Sequence, residues 1–297
     1  MKHSLKEWFA VTRYWSFPVS VMPVVVTTAY LAWIFEVSLI SWLNAVLALV
    51  GILFFHAGGN VLSDWADYRS GVDNENAFAV PNLVFHKFKS EEYLKFGAIL
   101  LAIGVVIGLV LVLRVGWPLL ALGCLGALLT VGYSFLKYRA LGDLTIFLNF
   151  SILPILGTTY VAIGSFYWDA LALALPIGLI TVAVLHANNT VDIESDKKAG
   201  IKTFAMLLGV KTSAKLYVAY MIIPFICVFG AALVGRLPWL SILCFVALVP
   251  AVGNIRAARQ YVAKGKDALM GLDQKTAQLQ LVFSVLLTLG LVVAAVI

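Results

Sequence analysis

Carboxylate and amide side chains recur at helical spacing in two short stretches of this 297-residue chain. The later stretch holds Asn188, Asp192 and Asp196 at intervals of four residues, and Asn189 lies three residues before Asp192. Residues three or four apart lie on the same side of an α-helix, so these side chains are expected to form one stripe. Neighbouring aspartates repel each other unless a cation lies between them, and Mg²⁺ is the hard cation that proteins hold through carboxylates plus substrate phosphates. The stretch therefore predicts half of a metal–diphosphate site.

A matching stretch lies earlier in the chain. Asn60 precedes Asp64 by four residues, and Asp67 follows three residues later. Each stretch comes at the end of an apolar segment, and the plainer interpretation of either one alone is a solvated helix end. Because ionisable groups within a membrane are costly and usually functional, the matched pair favours a shared metal site. The predicted metal ligands are Asn60, Asp64 and Asp67, the first acidic stripe, and Asn188, Asp192 and Asp196, the second acidic stripe.

Long apolar segments dominate the composition, which is 62% hydrophobic and 12% charged. About 20 apolar residues span the hydrocarbon core of a bilayer, and a soluble core does not need such runs repeatedly. Nine segments come near this length, at residues 16–35, 39–59, 94–113, 117–135, 144–165, 170–187, 214–234, 237–252 and 277–297. The eighth is the shortest. We predict an all-α polytopic membrane protein whose nine transmembrane helices form one domain over residues 1–297.

Basic residues are distributed unevenly between the two sides of these segments. Of the 21 lysines and arginines, only Arg114 and Arg236 fall on the side opposite to the N-terminus. Because cytoplasmic loops collect lysine and arginine, the N-terminus is predicted to be cytoplasmic and the C-terminus external. Both acidic stripes then lie at the cytoplasmic side. The net charge of +6 follows from this topology and from an anionic leaflet or substrate, so it indicates a lipid bilayer and no nucleic-acid partner.

Cationic side chains near the stripes are candidates for binding an anionic substrate. Arg13 precedes Pro18 at the cytoplasmic mouth of the first segment, where it serves either as a topological anchor or as a diphosphate contact. Lys197 and Lys202 lie within a short reach of the second acidic stripe, as the lysines of a phosphate clamp would. Asp73, in the connection after the first acidic stripe, either reaches back to the metal site or caps a turn.

The cytoplasmic connection before the fifth segment, YSFLKYRALGDL, concentrates further polar side chains. It contains Tyr133, Lys137 and Asp143. Lys137 could mark topology only, and Asp143 could cap the helix that it opens. All three lie at the same predicted mouth as the acidic stripes, so we count them among the candidate functional residues.

These stretches resemble the motifs of the UbiA superfamily of intramembrane prenyltransferases. NVLSDWADYRSGVD is similar to the first aspartate-rich motif of that superfamily and NNTVDIESDKKAGIKT to the second. The approach from Arg13 to Pro18 and the KYRALGDL segment are also similar, so the resemblance covers nearly the whole chain. It is greatest to the branch that prenylates 1,4-dihydroxy-2-naphthoate for menaquinone. Ser63 and Val191 depart from that branch, which often has Asn and Arg at these two positions.

The resemblance implies a UbiA-type helical bundle in which both acidic stripes bind diphosphate through Mg²⁺ and Lys137 contacts phosphate oxygens. The expected catalytic residues are Asp64, Asp67, Asp192, Asp196 and Lys137. The expected diphosphate and acceptor contacts are Arg13, Asn60, Tyr133, Asp143, Asn188, Asn189, Lys197 and Lys202.

The implied reaction is Mg²⁺-dependent transfer of a polyprenyl group from polyprenyl diphosphate to an aromatic acceptor, at the cytoplasmic side of a bacterial inner membrane. Other acceptors of the superfamily stay open, namely 4-hydroxybenzoate, homogentisate, a tetrapyrrole or a glycerol-phosphate lipid. An ion-coupled transporter is the alternative from another class, because intramembrane carboxylates also serve transport. The sequence shows no repeated halves with broken helices, and both stripes lie on one side, which disfavours a transporter.

Overall fold

The computed structural model describes residues 3–71, 81–198, 200 and 202–297. An isolated bridge between Arg139 and Lys202 is the one β-type pairing within these ranges. The α-helices are α1 (Leu5–Val11), α2 (Pro18–Ile34), α3 (Trp42–Ser70), α4 (Pro81–Val84), α5 (Ser90–Val115), α6 (Trp117–Val131), α7 (Tyr133–Lys137), α8 (Gly142–Phe147), α9 (Leu153–Ile163), α10 (Ala174–Val191), α11 (Ile193–Lys198), α12 (Phe204–Leu208), α13 (Val210–Leu233), α14 (Leu248–Lys264) and α15 (Leu272–Val296). Turns of 3₁₀-helix occur at Tyr14–Ser16, Val37–Leu39, Trp168–Leu173, Trp239–Ala247 and Gly265–Leu269. The predicted all-α fold class is confirmed.

Eight helical segments of the described chain are long and apolar enough to cross a membrane. They are Tyr14–Ile34, Trp42–Arg69, Ser90–Val115, Gly142–Ile163, Trp168–Val191, Val210–Leu233, Trp239–Tyr261 and Leu272–Val296. The remaining predicted segment corresponds to α6, which is apolar but has only 15 residues. The protein is therefore an integral membrane protein, and each of the nine predicted segments corresponds to an apolar helix.

The eighth segment extends further than the sequence predicts. It starts as the 3₁₀ turn Trp239–Ala247 and continues into α14, so the spanning helix runs over Trp239–Tyr261. Its later turns carry Arg256 and Arg259. Hydropathy alone therefore predicts an end near residue 252, whereas the backbone hydrogen bonds of the helix continue past it.

Glycines bring α3 and α5 into close contact. A Cβ atom at Gly58 would stand 2.7 Å from the backbone nitrogen of Leu101, and one at Gly104 would stand 2.9 Å from the backbone nitrogen of Phe55. Small residues are what allow membrane helices to approach this closely. The contact fixes α3, and with it the first acidic stripe, against a neighbouring helix.

The fifth segment contains a π-helical turn at its centre. Between α8 and α9 lies a π-helical turn, Leu148–Ile152, and Pro154 follows it at the start of α9. Proline has no N–H for the helical ladder, and π turns often occur at functional sites. The turn carries Asn149, whose Nδ2 donates to Oγ1 of Thr130 on α6 at 2.9 Å. The π turn thus ties α6 to the bundle near the cavity described below.

The main core lies among α2, α10, α13 and α15. Its fully buried side chains include Tyr30, Ile180, Met221 and Phe283. This core holds α10, which carries the first residue of the second acidic stripe, at a fixed place in the bundle.

Candidate active site

One large cavity of about 1280 Å³ receives side chains from both acidic stripes. Asn60 and Asp64 of α3 line it, and so does Asn188 of α10. Arg13 and Tyr133, two of the other predicted site residues, line the same cavity. Residues that are far apart in sequence thus share one polar mouth. Of the predicted catalytic residues, only Asp64 is part of the wall formed by the described residues, and Asp67, Lys137, Asp192 and Asp196 are not.

The first acidic stripe lies on an unbroken helix and is tied to the N-terminal segment. Asp64 is buried, and its Oδ1 is paired with Nη2 of Arg13. The Nδ2 atom of Asn60 donates to the carbonyl oxygen of Thr12 at 3.0 Å and to Oγ of Ser16 at 3.1 Å. Both bonds use the amide nitrogen of Asn60 and neither uses its side-chain oxygen, which is the ligand type that Mg²⁺ takes.

Asp67, the last member of this stripe, contacts the loop that carries the predicted phosphate-binding lysine. The hydroxyl of Tyr138 donates to Oδ1 of Asp67 at 3.4 Å. Tyr138 directly follows Lys137, the last residue of α7. The connection before the fifth segment therefore reaches the first acidic stripe, which sequence spacing alone does not predict.

The second acidic stripe lies across a helix break, contrary to the continuous helix that its spacing suggests. Helix α10 ends at Val191, Asp192 is the capping residue, and α11 starts at Ile193. The backbone N–H of Asp192 still bonds to the carbonyl oxygen of Asn188 at 3.1 Å, and the N–H of Asp196 to that of Asp192 at 2.8 Å. The four-residue spacing is thus kept through the break. Nδ2 of Asn188 also donates to Oδ2 of Asp192 at 3.1 Å, which orients that carboxylate.

Asp196 is the most conspicuous carboxylate of the site. It is 7% exposed, and its Oδ2 has no hydrogen-bond partner among the described residues. Burial raises the pKa of Asp196 to about 6; the charge of Lys137 opposes this rise, and those of Asp192 and Asp67 add to it. Asp67 and Asp196 belong to different stripes, so the charge of one stripe reaches a carboxylate of the other.

The donor set fits Mg²⁺. It consists of carboxylate and amide oxygens, one of them a buried oxygen without a hydrogen bond, and repulsion between the carboxylates favours a cation. No three His, Cys, Asp or Glu side chains of the described chain are grouped closely enough to hold a metal by themselves. A metal ion here would complete its ligand shell with water or substrate oxygens, which is the usual way proteins bind Mg²⁺.

Several other predicted contacts lie away from the cavity. Lys197 and Lys202 are exposed and are not part of the wall formed by the described residues. Asn189 is buried and likewise does not reach this wall. Asp73 lies outside the described residues, so its two predicted roles stay open. For these residues, substrate binding remains a prediction.

Asp143 pairs with His186, a residue outside the predicted site. Its Oδ2 lies 2.8 Å from Nδ1 of His186, and Nε2 of that ring lies 3.2 Å from the carbonyl oxygen of Ser213. Both residues are buried, so the pair joins α8, α10 and α13 just beneath the second acidic stripe. Asp143 therefore neither caps its helix nor lines the cavity.

A second histidine, His56, lies four residues before Asn60, so it belongs to the same side of α3. Its Nδ1 is 2.7 Å from Oγ of Ser20, and its Nε2 is 3.4 Å from Oγ of Ser16. Its ring lines the cavity. The spacing of four from Asn60 is the signal that could have identified it.

Beyond the polar mouth the cavity becomes an apolar groove rich in glycine. Gly51, Gly108, Gly123 and Gly157, from four different helices, line it. A Cβ atom at any of the last three would meet no neighbouring element within 4 Å. The lining positions on α3 extend over residues 48–64, a distance of about 24 Å at 1.5 Å per residue. The groove therefore has room for a long apolar ligand that starts at the acidic stripes.

Comparison with known proteins identifies the family. The profile of the UbiA prenyltransferase family matches residues 21–281. "UbiA prenyltransferase domain-containing protein 1" of Mus musculus is 31% identical over 303 residues, which cover 99% of this chain and 86% of that protein.

Two solved structures share the fold. A structure from work on digeranylgeranylglyceryl phosphate synthase superposes with a TM-score of 0.61 and 20% identity, over 97% of this chain and 98% of that one. A UbiA homolog from Archaeoglobus fulgidus bound to GPP and Mg²⁺ superposes with a TM-score of 0.58 and 14% identity, over 94% of this chain and 99% of that one. The family match sets the transporter alternative aside: the chain belongs to the UbiA prenyltransferase family and is a membrane-embedded prenyltransferase.

Proposed function

We propose that the enzyme transfers a polyprenyl group from polyprenyl diphosphate to 1,4-dihydroxy-2-naphthoate in a Mg²⁺-dependent reaction. The observation that carries the proposal is the cavity, which joins Asn60 and Asp64 of the first acidic stripe and Asn188 of the second to an apolar groove. An anionic head and a long apolar tail are the two parts of a polyprenyl diphosphate. The Archaeoglobus fulgidus homolog, bound to GPP and Mg²⁺, supports the same combination of metal and prenyl diphosphate.

The head of the substrate would lie between the stripes. Asp64 and Asp67 would hold Mg²⁺ from one side, and Asp192 and Asp196 from the other. Bound Mg²⁺ would stabilise the negative charge that develops on the diphosphate as it leaves. Lys137 lies within electrostatic range of Asp196, so we assign it a charge-assisted contact with the same leaving group.

The proposed chemistry exchanges a carbon–oxygen bond for a carbon–carbon bond. The bond between the first prenyl carbon and the diphosphate breaks, and its electron pair leaves with the diphosphate. The carboxyl-bearing carbon of the acceptor ring then attacks the allylic cation. Loss of CO₂ from that carbon returns an electron pair to the ring, so the anionic acid and the cation combine without net proton transfer. The apolar groove would protect the cation from water.

Val191 is the observation that keeps other acceptors as second candidates. It lines the cavity at a position where the naphthoate branch often has Arg, so this position offers no cation to an acceptor carboxylate. Another acceptor of the superfamily would then be prenylated in the same cavity by the same head-group chemistry.

Product identification tests the acceptor. The purified protein is supplied with Mg²⁺, a polyprenyl diphosphate and, separately, the naphthoate, 4-hydroxybenzoate, homogentisate, a tetrapyrrole and a glycerol-phosphate lipid, and products are identified by mass spectrometry. We expect a product whose mass is that of the naphthoate plus the prenyl group minus CO₂. Product with another acceptor alone would replace the naphthoate assignment. Absence of product with every acceptor would contradict the proposal, and an EDTA-treated sample serves as the metal control.

The groove can be tested separately from the acceptor. Gly123→Leu adds a side chain to the groove, so the preference between long and short prenyl diphosphates should shift toward short ones on the order of 10-fold. Gly253→Leu is the matched control, because Gly253 is also helical with no neighbouring element within 4 Å but lies outside the cavity. If both variants show the same preference between long and short prenyl diphosphates, the prenyl tail does not lie in this groove.

We further propose that the site opens to the cytoplasm of a bacterial inner membrane, on the basis of the basic residues that collect on the side of the stripes. A reporter fused after Ile297 should be external, and one inserted near Gly265 should be cytoplasmic. Detection of both reporters on one side would contradict this topology.

A further inference from the structure

We propose that Arg13 is an exchangeable counter-ion, which balances the charge of Asp64 before the metal binds and transfers to the diphosphate when Mg²⁺ takes Asp64. The inference rests on the proposed function, because it requires both ions at this site. It goes beyond that function by coupling the binding of Mg²⁺ to the binding of diphosphate through one side chain.

The starting state is a buried carboxylate paired with a more exposed cation. The Asp64 side chain is 3% exposed and that of Arg13 is 35% exposed, and Nη2 of Arg13 contacts Oδ1 of Asp64. An ionised carboxylate that has lost water needs a counter-charge, and the guanidinium supplies it. A divalent ion that approaches the same carboxylate meets a positive charge already in place, so the two cations compete.

The backbone of Arg13 is held, which limits the exchange to its side chain. Arg13 has a φ of 54°, in the left-handed region that a non-glycine residue rarely adopts and that is often found at functional sites. Its carbonyl oxygen accepts a bond from Oγ of Ser16 at 2.8 Å, and the preceding carbonyl, of Thr12, accepts one from Asn60. The guanidinium therefore moves about a point that is anchored to α3, the helix that carries Asp64.

The destination lies in the same cavity. Arg13 lines it together with Asn188 and Tyr133, so its side chain can leave Asp64 and still face a bound diphosphate. The planar guanidinium fork suits phosphate oxygens. Without diphosphate, Mg²⁺ must separate the Arg13–Asp64 pair, and the guanidinium then has no other anion to pair with. With diphosphate, the guanidinium acquires a new anion, so each ligand should favour the other, and by linkage the effect is reciprocal.

The test uses the full-length protein in detergent at pH 8 with two probes, Mg²⁺ alone and inorganic diphosphate. Calorimetry measures the affinity for Mg²⁺ without diphosphate, and the affinity for diphosphate in EDTA and at saturating Mg²⁺. In the wild type, Mg²⁺ should raise the affinity for diphosphate on the order of 10- to 100-fold. Arg13→Met should bind Mg²⁺ alone about 3- to 10-fold more tightly, yet bind diphosphate more weakly and lose about tenfold of the enhancement.

The opposite signs distinguish exchange from simpler roles. A residue that only anchors the helix or only contacts diphosphate would leave the affinity for Mg²⁺ alone unchanged, and that result in Arg13→Met would overturn the proposal. Arg69→Met is the matched control, because Arg69 is an exposed arginine near the end of α3, the helix that carries Asp64. Its loss should change neither affinity. If Arg13→Met does not fold, Arg13→Gln decides: it lacks the charge and should also bind Mg²⁺ more tightly than the wild type, and equal affinity overturns the exchange. A wild type that binds neither probe would overturn the proposed function as well.

Discussion

The two acidic stripes have nearly the same sequence spacing but different surroundings. The first lies on the continuous helix α3, where Arg13 pairs with Asp64 and the Tyr138 hydroxyl donates to Asp67. The second crosses the break between α10 and α11, and its last carboxylate, Asp196, has a buried oxygen with no hydrogen bond among the described residues. Asn60 and Asp64 of the first stripe and Asn188 of the second line one cavity.

This difference indicates that the stripes contribute unequally to metal binding. A metal at the first stripe must replace or share the contacts that Arg13 and Tyr138 already make with its carboxylates. A metal at the second stripe instead stabilises the negative charge of Asp196, which burial and the neighbouring carboxylates disfavour. The intrinsic preference for Mg²⁺ should therefore be greater at the second stripe. Variants on each side can break or sharpen this contrast.

The largest effect is expected when either stripe loses its central carboxylate. Asp64→Asn and Asp192→Asn should each lower kcat/KM on the order of 10³-fold, because each removes a charge that holds the metal against the leaving group. Steady-state kinetics at limiting Mg²⁺ measures this loss. Asp169→Asn is the control, since it removes a carboxylate from an exposed ion pair with Arg236 that is remote from the cavity. Near wild-type activity of either stripe variant would rule out a site that needs both stripes.

Removal of Lys137 should have the next largest effect. Lys137→Met should lower kcat/KM about 30- to 1000-fold, which corresponds to a loss of about 2 to 4 kcal/mol of transition-state stabilisation. The reason is that a contact with the diphosphate strengthens as negative charge develops on this leaving group. Lys211→Met removes an exposed lysine at the start of α13 and should be nearly neutral. A trypsin-accessibility map shows whether both variants insert normally. Normal kcat/KM in Lys137→Met would leave this residue a topological anchor only.

The second stripe should also respond to pH. The raised pKa of Asp196, about 6, means that this carboxylate is ionised above pH 6 and increasingly protonated below it. Because Mg²⁺ needs the ionised form, its apparent affinity should fall about tenfold for each pH unit below 6. Calorimetric titration with Mg²⁺ between pH 5 and pH 8 measures the change. Asp196→Asn should remove the transition near pH 6, and its persistence there would assign it to another group.

The smallest effect is expected at the outer contact of the first stripe. Tyr138→Phe removes the hydroxyl that orients Asp67, so the Mg²⁺ concentration for half-maximal activity should rise about 2- to 10-fold, as the loss of one hydrogen bond implies. Tyr261→Phe, on α14 and outside the cavity wall, serves as the control. A loss as large as that of Lys137→Met would show that the first stripe depends on its surroundings more than proposed.

Some features of the protein follow from local sequence, because they depend on residues within a few helical turns. The apolar segments are long enough to predict each membrane helix, and the three- and four-residue spacing of Asp64 and Asp192 with their neighbours predicts the stripes. Local sequence predicts the end of α14 and the break at Asp192 less well. Backbone hydrogen bonds and packing can continue or interrupt a helix where the hydropathy does not signal it.

The partners of the charged side chains were decided only by the tertiary structure. Nothing near Asp143 in the sequence indicates His186, and nothing near Arg13 indicates Asp64, because each pair is joined across more than 40 residues by the packing of separate helices. The same packing buries Asp196 and leaves Lys197 exposed, although the two residues are adjacent in sequence. A helical period determines which residues share a side of one helix, whereas the position of that side against other helices depends on the fit of the whole bundle.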